Sequence, residues 1–242
     1  MKFTFYLASI ALIFSNLHAQ AQAGNYGEYN YLHQMSTKGT PQMEGENIEG
    51  TPFIFPEWCR ADLITVEGKT IGIPRLNYQA KRHKFYYIRN NDYYEIFPDQ
   101  VKMIIVKLPD NSKRYFVTKL PHPIETKIQT PYYEIFTDDI SKAYVVNIPH
   151  KIFRSKSVSQ SYASEKSNET MEYVDRSRAY VLVNGKYVRY RHSFKQLKKI
   201  FGWDKKTAKK FKKFIKNKHL KIKKLGDLQT FMAYYYRQKS AQ

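Results

Sequence analysis

The sequence predicts an α+β protein: an antiparallel β-meander or small sandwich, followed by a β-hairpin and three C-terminal helices. Three observations predict it. From Thr51 onward, short runs rich in Val, Ile, Tyr and Phe alternate with turn signals, the texture of antiparallel strands. A Ser-rich stretch then interrupts that texture. Beyond it, Asn184-Gly185 separates two more such runs, and apolar residues recur at helical spacing to the C-terminus. With 242 residues, 42% of them hydrophobic and 16% aromatic, the chain is too apolar for a disordered polymer. It is long enough for one domain or two small ones.

The N-terminus has the tripartite form of a secretory signal, expected over residues 1–23. Lys2 supplies a positive start, Phe3 to Phe14 is mostly apolar, and small residues recur at Ala19, Ala21 and Ala23. That apolar run is too short to span a bilayer. Cleavage is therefore expected after Ala19, Ala21 or Ala23, the last being favoured, with a periplasmic or secreted product. No later run approaches about 18 apolar residues, so no transmembrane segment is expected after signal removal. The lone Cys59 excludes an intrachain disulfide framework and any multi-cysteine metal site. It reads most simply as a buried small hydrophobe.

Residues 24–50 show no periodicity and read as a loosely ordered arm. Residues 51–153 read as an antiparallel β region. There Leu63–Val66 and Lys69–Ile73 flank Glu67-Gly68, and Phe85–Ile88 and Tyr93–Phe97 flank Asn90-Asn91-Asp92. A third pair, Val101–Leu108 and Arg114–Leu120, flanks Pro109-Asp110-Asn111-Ser112. One segment repeats: Tyr93-Tyr94-Glu95-Ile96-Phe97-Pro98-Asp99 returns as Tyr132-Tyr133-Glu134-Ile135-Phe136-Thr137-Asp138. Two equivalent sites built on Glu95 and Glu134 are one reading. Two copies of a strand–turn–strand unit whose aromatics pack a sheet are the preferred one.

Residues 154–171 read as a Ser-rich linker, and 172–242 as a hairpin plus a basic helical region. Asn184-Gly185 takes positive φ at both turn positions at little cost, so Ala179–Val183 and Lys186–Tyr190 are expected to pair around it. Ser193-Phe194-Lys195-Gln196 fits a capping box, and Gly202 ends that first helix. Asp204 is expected to cap the second helix, whose apolar face is Ala208, Phe211, Phe214 and Ile215. Asp227 is expected to cap the third, with a stripe of Leu228, Phe231, Met232 and Tyr235.

The net charge of +20 sits almost wholly at this end. From Arg176 onward lie 21 of the 41 Lys and Arg but only two of the 21 Asp and Glu, a local balance of +19. Lys205, Lys206, Lys209, Lys210, Lys212, Lys213 and Lys216 fill the second helix opposite Phe211 and Phe214. They are the candidate anion-binding set, the plain alternative being a solvated face. An anionic envelope polymer or lipid headgroups would suit them. Specific nucleic-acid recognition is disfavoured, because it uses arginine forks and exposed aromatics, whereas Lys195 to Lys224 contains no arginine.

Motifs for catalysis are sparse. No Gly-x-Gly-x-x-Gly, P-loop, Gly-x-Ser-x-Gly or His-Glu-x-x-His occurs, and no cofactor is implied. His33, His83, His122, His150, His192 and His219 have no partner at i+2 or i+4, so no metal site is assigned. The 21 Tyr and 15 Phe could line a sugar-binding face, but aromatics also fill sheet cores, and that reading is preferred. The expectation is an exported non-catalytic binding or structural protein whose basic helices contact an anionic partner. Its rival is an envelope hydrolase acting on sugars or peptides with Glu95, Glu134 or Cys59.

Two segments add a resemblance. Gly50-Thr51-Pro52-Phe53 through Trp58, then Ile64-Thr65-Val66-Glu67-Gly68-Lys69 and Arg75-Leu76-Asn77-Tyr78, resembles the opening of a family of exported gram-negative bacterial proteins without assigned activity. That family shows a G-[ST]-P-[YF] start, a Gly-Lys hairpin and an R-Y-N-like strand. The ending Phe211-Lys212-Lys213-Phe214-Ile215-Lys216-Asn217-Lys218, with Asp227-Leu228 and Tyr234-Tyr235-Tyr236, is similar to the family's YIKKNK…DL…YY end. Leu76 departs from the usual Tyr. The resemblance implies export and an intact two-part fold, and it transfers no site residues.

Overall fold

A computed structural model describes residues 32–41, 48–156 and 170–240. The expected signal and its cleavage sites, part of the N-terminal arm and most of the Ser-rich linker lie outside the described residues. The fold is α+β and mostly β. Strand β1 (Ser36–Lys38) and the two-residue β2 (Ile48–Glu49) come first. A meander follows of β3 (Cys59–Thr65), β4 (Thr70–Gln79), β5 (Lys84–Arg89) and β6 (Asp92–Ile96). The chain then returns to the far side of β3 and lays down β7 (Val101–Lys107), β8 (Lys113–Val117), β9 (Tyr133–Ile135) and β10 (Val145–Ile148). Next come β11 (Lys151–Ser155), β12 (Met171–Asp175), β13 (Arg178–Val183) and β14 (Lys186–Tyr190). The C-terminal helices are α1 (Phe194–Phe201), α2 (Lys205–Asn217) and α3 (Leu225–Ser240).

Eleven strands form one antiparallel sheet in the order β1-β6-β5-β4-β3-β7-β8-β9-β10-β13-β14, and β11-β12-β2 form a small second sheet. Local chemistry explains the hairpins. Along β3, Cys59, Ala61, Leu63 and Thr65 are buried and alternate with more exposed residues. Asn90 and Asn91 both take positive φ (47° and 67°) in the two-residue loop that pairs Arg89 with Asp92. Asn184 and Gly185 (47° and 78°) do the same between Val183 and Lys186.

The sheet is strongly curled. Phe85 on β5 and Phe116 on β8 are four strand spacings apart, about 19 Å in a flat sheet, yet their rings lie 5.1 Å apart. Leu63, Leu76, Tyr78, Val106 and Tyr132 fill the hollow. The same face, followed through Phe116, Glu134, Asn147, Ala179 and Tyr190 by strand register, receives the helices at its other end. There Val145 and Val181 pack with Leu197, Phe211 and Phe231. On the opposite face, Ile124 and Ile128 of the β8–β9 connection cover Tyr180, Leu182 and Tyr187.

Several sequence expectations change here. Of the stretch read as a loose arm, residues 36–38 pair with β6 and residues 48–49 with β12. Buried Leu32 and Met35, and a Ser36 hydroxyl 2.9 Å from the Tyr87 hydroxyl, anchor it, and such short elements leave no readable period. β11 crosses the expected boundary at residue 153, and β13 pairs with β10. The hairpin therefore extends the main sheet instead of starting a second part. Ser193 occupies the α1 N-cap position but makes no side-chain cap bond. Gln196 turns to β14 instead, accepting from the Arg191 N–H and donating to the Arg189 carbonyl. Helix α3 begins at Leu225, so Asp227 lies in its first turn and accepts from the Lys221 N–H at 2.7 Å. Gly202 (φ 64°) and Asp204, which accepts from the Thr207 N–H at 2.7 Å, cap as expected.

Candidate functional site

Helix α2 separates its two faces by residue spacing. Ala208 and Phe211 are buried, and Phe214 and Ile215 half-buried, on the side facing α3. Phe211 lies 4.7 Å from the Trp203 ring and 5.8 Å from Phe231, and Phe214 stacks parallel on Tyr234 at 3.7 Å. The apolar stripe is thus consumed by packing. It is not a free membrane-binding surface.

The other side is cationic and open. Lys205, Lys206, Lys209, Lys210, Lys212, Lys213 and Lys216 are all exposed. Lys205, Lys209, Lys212 and Lys216 follow at i, i+4, i+7 and i+11, a row about 16 Å long at 1.5 Å per residue. Lys206, Lys210 and Lys213 form a second row beside it. Among the described residues none of the seven pairs with a carboxylate, and Lys210 Nζ reaches only the Gln238 amide oxygen at 3.3 Å. The acids nearest in sequence make their hydrogen bonds to other groups. The Thr207 hydroxyl and N–H first, and the charges of Lys206 and Lys198 after them, hold the Asp204 carboxyl below its usual range, and Asp227 serves the Lys221 N–H. Acids of the sheet pair with their own neighbours, as in Asp62–Lys107 and Glu172–Arg154.

The residues of the rival reading are each engaged in ion pairs or packing. Glu95 on β6 meets Lys84 Nζ at 2.7 Å. Glu134 on β9 is buried, accepting from Arg114 Nε at 2.6 Å and Asn147 Nδ2 at 2.7 Å. Cys59 is buried with Sγ 3.5 Å from the Glu57 carbonyl, and burial pushes its thiol up, away from the thiolate a nucleophile needs. Both repeat copies form a strand, a short 3-10 turn (Pro98–Gln100 or Ile140–Lys142) and a further strand. Their two glutamates each face a cation from a nearby strand, which fits the packing reading.

Two polar constellations left no mark in the linear sequence. His83 Nδ1 lies 3.0 Å from the Tyr78 hydroxyl, and its Nε2 lies 3.2 Å from His150 Nδ1. Gln229 of α3 is buried within an apolar stripe and bonds the Val145 N–H and Lys142 carbonyl. Tyr78 is five residues from His83, but His150 and His83, and Gln229 and its two partners, are tens of residues apart, and only folding joins them. Among the described residues no cluster of three His, Cys, Asp or Glu is placed to hold a metal ion, and no helix is long and apolar enough to cross a membrane. Comparison with protein-family models, curated proteins and solved structures finds no match.

Proposed function

We propose that this is an exported, non-catalytic binding protein of the cell envelope that holds an anionic polymer against the lysine face of α2. One observation carries the reading: seven exposed ammonium groups share one helix side with no carboxylate in ion-pair contact among the described residues, while the opposite side is spent on packing. Like charges at i, i+4 destabilise a helix by about 0.2–0.5 kcal/mol per pair, and a bound polyanion reverses that sign. Lysines act as hydrated point charges, so binding should tolerate varied polymer chemistry and weaken steeply with salt. The signal-like N-terminus supports placement in the envelope.

Titration with a heparin fragment as probe, across about 50–500 mM salt, tests this. The expected result is affinity falling linearly on a log–log plot. The combined Lys209→Glu, Lys210→Glu, Lys212→Glu and Lys213→Glu variant should lose about tenfold affinity or more, with unchanged circular dichroism. Salt-insensitive binding, or full affinity in the variant, overturns the proposal. Binding to anionic lipid vesicles without binding to heparin overturns the polymer as partner.

A further inference from the structure

We propose that a second site, an aromatic pocket between segment 51–58 and β6, binds an uncharged sugar ring. The cavity measures about 310 Å³ and is walled by Phe53, Phe55, Trp58 and Tyr93, with the hydroxyl-bearing Thr40 and Thr51 also lining it. Trp58 is half-buried, its indole 5.5 Å from the Phe53 ring and 5.7 Å from Tyr93. The pocket opens at the β4–β6 side of the sheet, away from the β10–β13–β14 end that carries the helices. It therefore stands apart from the lysine face.

The wall is built rather than incidental. Segment 51–58 has no strand beyond a single bridge between Phe53 and Gln79, yet two side chains clamp its backbone. Asn77, only 2% exposed, accepts from the Phe55 N–H at 3.3 Å and donates to the carbonyls of Phe55 and Glu57 at 3.0 and 3.3 Å. Lys151, whose ammonium is partly desolvated, donates to the carbonyls of Thr51 and Phe53 at 2.8 and 2.6 Å. Backbone bonds from Ile54 N–H to Tyr78 and from Ala80 N–H to Pro52 complete the fastening. An irregular wall held this way loses its conformational freedom on folding, so little ordering cost is left for a ligand.

The lining chooses the ligand. Among the described residues no charged side chain borders the cavity, so an ionic ligand would shed its hydration there without a counter-charge from them. A purely apolar ligand would leave the Thr51 O–H without an acceptor, its oxygen already accepting from the Phe53 N–H at 3.3 Å. A pyranose answers both: its C–H faces lie on aromatic rings while its hydroxyls reach the threonines. The volume, at the small end of ligand sites, suits one ring of a glycan with the rest outside.

The two tryptophans make the test direct. In a Trp203→Phe background, fluorescence reports Trp58 alone. Neutral trisaccharides of glucose, of galactose and of N-acetylglucosamine are titrated to about 10 mM. At least one should give a saturable change that is constant from low to high salt, which separates it from the lysine face. Thr51→Val, which keeps the side-chain volume, and Tyr93→Ala should each weaken that binding by about tenfold with thermal unfolding little altered. No saturable response to any of the three sugars overturns the proposal, as does a response unaffected by both substitutions.

Discussion

The Tyr132 hydroxyl donates to the Ile96 carbonyl, 3.3 Å away, so that one copy of the Tyr-Tyr-Glu-Ile-Phe segment is fastened to the other. Tyr132 is 1% exposed, and its ring stands edge-on to Phe85 at 4.9 Å and to Tyr78 at 6.1 Å. The repeat thereby closes the curled face of the sheet, with aromatic bulk from the second copy meeting backbone from the first. Tyr132→Phe keeps the ring and removes one hydrogen bond, a loss of about 1 kcal/mol. Tyr132→Ala also opens a cavity in the hollow and should cost about 3–5 kcal/mol. Urea unfolding should show the midpoint falling in that order with unchanged slope.

Arg114 and Glu134 set up a different dependence. The guanidinium bonds a buried carboxylate on one side and lies over the rings of Phe55 and Phe116, at 5.0 and 5.6 Å from their centroids. Arg114→Met retains much of the contact with the rings but leaves Glu134 buried with only Asn147, which should cost about 3–5 kcal/mol. Adding Glu134→Gln removes the uncompensated charge and should recover a good part of that loss. A double-mutant cycle in urea measures the coupling, and a purely additive result would count against this account.

The contrast between these contacts and the hairpins explains what could be read from sequence. The Asn184-Gly185 and Asn90-Asn91 turns depend on two residues each, and the alternation in β3 on seven, so local order carries them. The two faces of α2 are equally local, because a period of 3.6 residues sorts Phe211 from Lys209 and Lys213. Glu134, by contrast, takes its partners from positions 20 and 13 residues away on neighbouring strands. The pocket wall at 51–58 has no period at all, its shape being imposed by Asn77 and Lys151 from elsewhere. Even the Ser193 and Asp227 cap patterns were outbid by β14 and by the loop before α3.

His83 and His150 make the native state sensitive to acid. His83 sits at φ 57°, 6% exposed, between the Tyr78 hydroxyl and the His150 ring. Burial first, and His150 second, lower its pKa to about 4, and burial lowers that of His150 as well. A folded-state pKa below the unfolded value of about 6.5 means that the unfolded chain takes up protons first as pH falls. The contribution is therefore complete above about pH 6.5 and is lost on acidification through about pH 4. With solvent screening allowed for, it is on the order of 2 kcal/mol. His83→Asn tolerates the left-handed backbone and removes the titrating group. Its stability should fall less than that of the wild type between those two pH values, as followed by thermal unfolding.

Gln229 shows how α3 is held to the sheet. Its amide oxygen accepts from the Val145 N–H at 2.9 Å, and its amide nitrogen donates to the Lys142 carbonyl at 2.6 Å. Val145 opens β10, and Lys142 ends the 3-10 turn before it. One side chain thus fastens the helix to the start of a strand. Gln229→Leu preserves much of the volume but leaves the Val145 N–H without this acceptor, a cost of about 1–3 kcal/mol. Gln229→Glu is the sharper probe. Its ionised form can still accept from Val145, but its second oxygen would face the Lys142 carbonyl instead of donating to it. Burial and that repulsion raise the folded-state pKa of the introduced carboxyl above the unfolded value of about 4.3. The protonated acid can donate as the amide does. Relative to the wild type at the same pH, the variant should be destabilised at neutral pH and regain stability as pH falls toward about 5. A difference in melting temperature that stays constant across that range would mean the amide does not hold the helix in this way.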